Sequence, residues 1–94
     1  MPTAIVTGGS RGLGLALTRL LVRRGWTAVV DARDAAALER AASELRSFSS
    51  AGATVTKVAG DVTDPEHRRA LVRAAVGSGG LDAVVNNAGA VVGG

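Results

Sequence analysis

The sequence predicts an α/β fold, a doubly wound parallel sheet, and three observations carry that prediction. Short apolar, β-branched runs alternate with segments of helical period in the order β-α-β-α-β-α-β. The runs are near-continuous in Val, Ile and Ala, as in strands covered on both faces. The first run ends in a glycine-rich turn, TGGSRGLG at residues 7–14, that leads directly into a helix.

Each element has its own signal. Residues 3–7 (TAIVT) read as a buried strand that stops at glycines. Leu13, Ala16, Leu17, Leu20 and Leu21 then recur at helical spacing, which puts Thr18, Arg19, Arg23 and Arg24 on the other face. Gly25 ends that helix. Residues 26–32 (WTAVVDA) are a second strand, with Trp26 read as a packing residue. A second helix follows on Leu38, Ala41, Ala42 and Leu45, with Asp34 as its N-cap. Residues 53–60 (ATVTKVAG) form a third strand of broken alternation. Asp64 before Pro65 is a cap followed by proline at the first helical position. Leu71, Val72, Ala75 and Val76 give that third helix its apolar face. After the loop GSGG at 77–80, residues 81–86 (LDAVVN) are a fourth strand.

The whole chain, 1–94, reads as one domain, with 47% hydrophobic residues and no linker. It has no Cys, which excludes disulfides, thiolate metal sites and cysteine nucleophiles. The net charge is +3, and ten of the eleven basic residues are Arg. Arg19, Arg23, Arg24, Arg40, Arg46, Arg68, Arg69 and Arg73 spread over three helices, as solvated faces do, and form no nucleic-acid stripe. No apolar run has the length of a membrane span, and the N-terminus lacks the pattern of an export signal, so the cytoplasm is the expected location.

The strand, glycine loop and helix start together describe a phosphate site. A loop closing onto a helix N-terminus presents free N–H groups and the positive end of the dipole. Gly8 permits the turn out of the strand, while Gly12 and Gly14 admit a pyrophosphate and close packing of the helix. A P-loop is excluded, because Leu15 and Ala16 stand where Lys and Ser or Thr belong. The G-x-G-x-x-G pattern also fails, since Leu17 follows Gly12-Leu13-Gly14 at the third position. What remains is T-G-x-x-x-G-x-G.

That spacing resembles the cofactor loop of the short-chain dehydrogenases/reductases. GDV at 60–62 and NNAG at 86–89 resemble two further stretches of the same family, in the same order and at strand ends. The resemblance covers essentially the whole chain. It implies the N-terminal, cofactor-binding portion of a Rossmann-type oxidoreductase, whose loop (Gly8, Ser10, Gly12, Leu13, Gly14) cradles the pyrophosphate. It further implies Asp61 as a polar contact to adenine, Val62 against the ring, and Asn86, Ala88 and Gly89 near the cofactor. Asn87 is expected to brace the backbone.

The resemblance also bears on which nicotinamide dinucleotide is bound. An acid near the end of the second strand reads the ribose 2′-OH of NAD, whereas Arg accommodates the 2′-phosphate of NADP. The family's NAD-selecting position falls on Ala32, followed by Arg33, and Arg11 stands before the middle glycine of the loop. NADP(H) is therefore expected over NAD(H), with Arg11 and Arg33 at the phosphate. Asp31, one place early, is expected to point away, and Asp34, one place late, to cap the helix.

The family's hydride transfer depends on a Tyr and a Lys four residues later, assisted by Ser and Asn. This chain has no Tyr, and its single Lys, Lys57, lies in the third strand. No catalytic residue is assigned, and no turnover is expected from these 94 residues alone. His67, the single His, is expected at the surface, and no metal site is expected. The fourth strand is expected to have an open edge where a fifth would pair. The leading reading is the cofactor-binding portion of an NADP(H)-dependent oxidoreductase acting on a carbonyl or alcohol. A non-catalytic dinucleotide-binding module is the alternative. Homo-oligomerisation is compatible with either, and neither nucleic acid nor a membrane is an expected partner.

Overall fold

A computed structural model describes residues 2–48 and 53–87. Four parallel strands alternate with three helices: β1 (Thr3–Val6), α1 (Gly12–Arg23), β2 (Thr27–Ala32), α2 (Ala35–Phe48), β3 (Val55–Ala59), α3 (Pro65–Gly77) and β4 (Ala83–Val85). The strand order is β3-β2-β1-β4. The chain builds outward from β1 through β2 to β3, then returns to place β4 on the other side of β1. Each strand is one to three residues shorter than its predicted span, because turn geometry takes over at the glycines and polar residues that flank it.

The parallel register sorts side chains onto two faces. Ile5 lies beside Val29 and Val6 beside Val30. Val6, Ala28 and Val30 pack with Val22 of α1 and with Leu38, Ala42 and Leu45 of α2. Ile5 and Val29 pack on the other face with Leu71 and Ala75 of α3. All six residues of β2 are buried, as the continuous apolar run requires of a strand covered on both sides. β4 lies at an edge of the described sheet, and its Val84 is 57% exposed.

α1 turns a different face inward from the one its leucine spacing predicts, and the buried face of α3 keeps the predicted Leu71 and Ala75 but not Val72 and Val76. In α1 the buried line is Gly14, Thr18 and Val22, while Leu13 and Leu20 are 75% and 48% exposed. The missing side chain at Gly14 lets this i, i+4 ridge approach the sheet. Thr18 is tolerated there because its hydroxyl donates to the Gly14 carbonyl oxygen at 2.7 Å. In α3 the buried line is His67, Leu71 and Ala75, and Val72 and Val76 face outward. His67 is therefore a core residue and not the expected surface one; the reason is its partner, described below.

The helix ends follow local chemistry. Asp34 Oδ1 accepts the N–H groups of Ala36 and Ala37 at 3.0 and 3.1 Å, and Asp64 accepts that of Glu66 at 3.0 Å with Pro65 beginning the helix. Arg19 pairs with Glu44 at 2.6 Å, tying α1 to α2, and Arg19 and Arg23 stack over the Phe48 ring. The helix arginines thus cover apolar surface as well as face water. No helix among the described residues is long and apolar enough to cross a membrane.

Candidate functional site

The carboxyl ends of β1, β2 and β3 open onto one cleft of about 330 Å³. The loop after β1 gives Gly8, Ser10 and Arg11, the end of β2 gives Asp31 to Asp34, and the turn after β3 gives Gly60 to Thr63. Ligands of open parallel sheets bind in this position, outside the strand ends near the point where strand order reverses.

The loop's shape comes from its glycines. Gly8 and Gly12 have φ of 68° and 59°, a region costly for a residue with a Cβ. Gly14 answers a different need, since a Cβ there would lie 2.8 Å from Nδ2 of Asn87 and closer still to the Gly8 carbonyl oxygen. α1 starts at Gly12 after Arg11 in extended conformation, with no side-chain cap. The first-turn N–H groups of Gly12, Leu13 and Gly14 are thus not met by a capping side chain, and no acidic residue occupies the first turn.

Residues from the far end of the described chain brace the loop from below. The Asn87 N–H donates to Thr7 Oγ1 at 2.9 Å, and its side-chain Nδ2 donates to the Gly8 carbonyl oxygen at 3.3 Å. Asn87 is the expected backbone brace. Asn86 is joined to the same threonine, whose hydroxyl donates to Asn86 Oδ1 at 3.4 Å. Asn86 opens onto a second cavity of about 210 Å³ between β4 and α3, with Val62 lining both spaces. Ala88 and Gly89 lie outside the described residues.

The acids that line the cleft are all tied to partners. Asp61 accepts from the Thr63 N–H and hydroxyl at 2.9 and 2.8 Å and pairs with Arg33 at 3.3 Å. These bonds, the Thr63 N–H foremost, hold its carboxyl below the usual range against partial desolvation. The Ala37 N–H chiefly, with Ala36, Arg40 and Arg11 adding to it, does the same for Asp34. Arg33 is 81% exposed. A guanidinium has five N–H donors, so one bond to Asp61 leaves others facing the cleft. Arg11, also exposed, lines the same cleft. Gly8, Ser10, Arg11, Arg33, Asp61 and Val62 thus come together in one cleft, with Gly12, Leu13 and Gly14 adjoining and Asn86 one cavity away.

Sequence reasoning misplaced His67 and missed what Asp31 does. Asp31 does face the sheet side opposite Ala32, with no bulge, since its register with Val58 is continuous. That side, however, is where α3 and the glycine loop meet, so the side chain turns in under the cleft. Its Oδ1 accepts the Gly8 N–H at 2.7 Å, and its Oδ2 lies 2.6 Å from His67 Nε2. The signal was present: an acid inside a fully apolar run needs a buried partner. The single His stands on the same i, i+4 line as Leu71 and Ala75. Among the described residues there is no cluster of three metal-ligating side chains.

Comparison with known proteins places this geometry in a family context. The family described as short chain dehydrogenase matches residues 2–94. A 1-deoxy-11-beta-hydroxypentalenate dehydrogenase of Streptomyces exfoliatus is 44% identical over 87 residues, covering 92% of this chain and 30% of that protein. L-Sorbose reductase of Gluconobacter frateurii, solved with NADPH and L-sorbose, superposes with a TM-score of 0.83 at 40% identity, over 94% of this chain and 33% of that one. A short-chain dehydrogenase of Sphingobium yanoikuyae, solved with NADPH, gives 0.78 at 32%, over 95% and 34%. The chain spans about a third of the length of the relatives it matches.

Proposed function

The chain belongs to the short-chain dehydrogenase family, and from that premise we propose that it cradles the dinucleotide of an oxidoreductase and favours NADP(H) over NAD(H). The uncapped start of α1, with Gly8, Ser10, Gly12, Leu13 and Gly14, receives the pyrophosphate. The adenine lies in the turn after β3, against Val62 and beside Asp61. Asn86 serves the nicotinamide side, at the end of β4. Bound nicotinamide supplies a hydride donor or acceptor; the reaction proposed for the whole protein is transfer between it and a carbonyl or alcohol carbon. This stretch contributes binding, and it contains no Tyr to serve as the family's proton donor.

The observation that carries the NADP(H) preference is the lip of the cleft. Ala32, apolar and buried, stands where a ribose-reading acid belongs, and the exposed Arg33 follows it, with Arg11 lining the same cleft. Two guanidiniums suit a phosphate's oxygens better than a diol. The NADPH complexes of two relatives support the choice. The test is a fluorescence titration of the protein with NADPH and NADH. NADPH is expected to bind more tightly. Arg33→Ala should weaken NADPH by about one to two powers of ten, the worth of a charge-assisted hydrogen bond, and leave NADH nearly unchanged. Equal affinities in the wild type, or equal losses in the variant, would refute the preference.

A further inference from the structure

His67 does not touch the cleft, yet we propose that it is a positioning residue for cofactor selectivity, acting through Asp31. The inference rests on the NADP(H) reading above. Asp31 carries a carboxylate at the end of β2, next to Ala32 and Arg33, and it borders the same cleft. A carboxylate free to turn toward a bound adenosine ribose would accept from a 2′-OH and repel a 2′-phosphate. In this structure it is not free. Its side chain is 2% exposed, with Oδ1 on the Gly8 N–H and Oδ2 against His67 Nε2, itself 5% exposed.

The two tethers differ in origin. The Gly8 N–H belongs to the glycine loop and is fixed by the turn; the Asp31 carbonyl oxygen reinforces it by accepting the Gly9 N–H at 3.0 Å. The imidazole arrives from α3, a separate element packed on the sheet face that Asp31 shares. Room for it is made at Gly60, where an added Cβ would lie 2.9 Å from Cε1 and Cγ of the ring. The other acids lining the cleft need no such help. Asp34 is held by the N–H groups of its own helix, and Asp61 by Thr63 and Arg33.

Removal of the imidazole leaves Oδ2 buried without a donor, a state that costs enough to drive a side chain toward water. The solvent-filled space that Asp31 borders is the cleft itself. His67 thus keeps an acid from reaching the place where it would reverse the choice made by Ala32 and Arg33. Loss of His67 should shift the balance between the two cofactors; damage to the loop alone would weaken both alike.

The test compares dissociation constants for NADPH and NADH in the wild type, His67→Leu, His67→Gln and the double variant Asp31→Asn with His67→Leu. The wild type prefers NADPH. His67→Leu is expected to lower that preference at least tenfold. His67→Gln, which keeps an N–H donor, should retain it, and the double variant should regain it because a neutral amide does not repel phosphate. An unchanged ratio in His67→Leu, or no recovery in the double variant, overturns the proposal. If the leucine variant does not unfold cooperatively, His67→Ser replaces it; failure of both assigns the pair to folding alone and also overturns it. A wild type that binds both cofactors equally, or neither, refutes the NADP(H) reading instead.

Discussion

Replacing Gly14 by Ala tests the packing of the glycine loop most directly. In an exposed helix interior this change is favourable by about 1 kcal/mol, because Ala loses less entropy than Gly. At Gly14 the added Cβ would stand 2.8 Å from Asn87 Nδ2 and nearer still to the Gly8 carbonyl oxygen, whereas carbon contacts are ordinarily about 3.5–4.0 Å. The obstacle is backbone held by hydrogen bonds, so it cannot swing aside as a flexible side chain would. Overpacking of this kind costs about 1–3 kcal/mol, and a rigid wall puts it at the upper end. Set against the propensity gain, a net loss of about 2 kcal/mol remains, or roughly 8–16 °C in melting temperature for a domain of this size. Two other glycines calibrate the result by circular dichroism. Gly12→Ala meets nothing within 4 Å but has φ of 59°, so it should lose about 1 kcal/mol. Gly77→Ala, at the end of α3, meets nothing within 4 Å and has no positive φ, so it should gain about 0.4–1 kcal/mol. A Gly14→Ala protein as stable as Gly12→Ala would refute the steric argument.

Two further outcomes are expected. Asp64→Ala removes the cap of α3 and should cost about 1 kcal/mol, read as a shift in urea midpoint, with Asp64→Ser recovering most of it. Asp34, Asp61 and Glu39 are all held below the ordinary carboxylate range, Glu39 first by its bond to Lys57. Because their folded pKa values are depressed, they contribute stability that is complete above the unfolded value and lost as pH falls through the folded one. The melting temperature should therefore fall as pH is lowered through and below about 4, and one that rose on that side would contradict the assignment.

The glycine loop, the helix caps and the order of elements were legible because each is a local event. TGGSRGLG, Asp34 and Asp64-Pro65 state their geometry within a few residues. The inward face of α1 was not, and that of α3 only in Leu71 and Ala75, because counting leucines and valines cannot register what the helix meets. Gly14 draws its own ridge in by having no side chain, and His67 draws its ridge in through a partner 36 residues away. Asp31 was read correctly as to face, yet the meaning of that face depended on where α3 would lie. The cleft itself followed from topology: parallel strands end on one side, and the motif residues stood at those ends. Arg33's bond to Asp61 joins two separate turns, and nothing local announces it.

The bonds from Thr7 and Gly8 to Asn87 span 79 to 80 residues, and Thr3 is joined to Asp82 in the same way. This sets an order in time. As the polypeptide leaves the ribosome, the glycine loop appears well before the partners that fix it, which follow 79 to 80 residues later. Until β4 docks beside β1, the loop has its sequence and lacks its brace. Contacts so distant in sequence form slowly, since chain entropy is lost before they return anything. The recognition element is thus encoded early and finished late, and a nascent chain halted near residue 80 would carry the motif without a completed site.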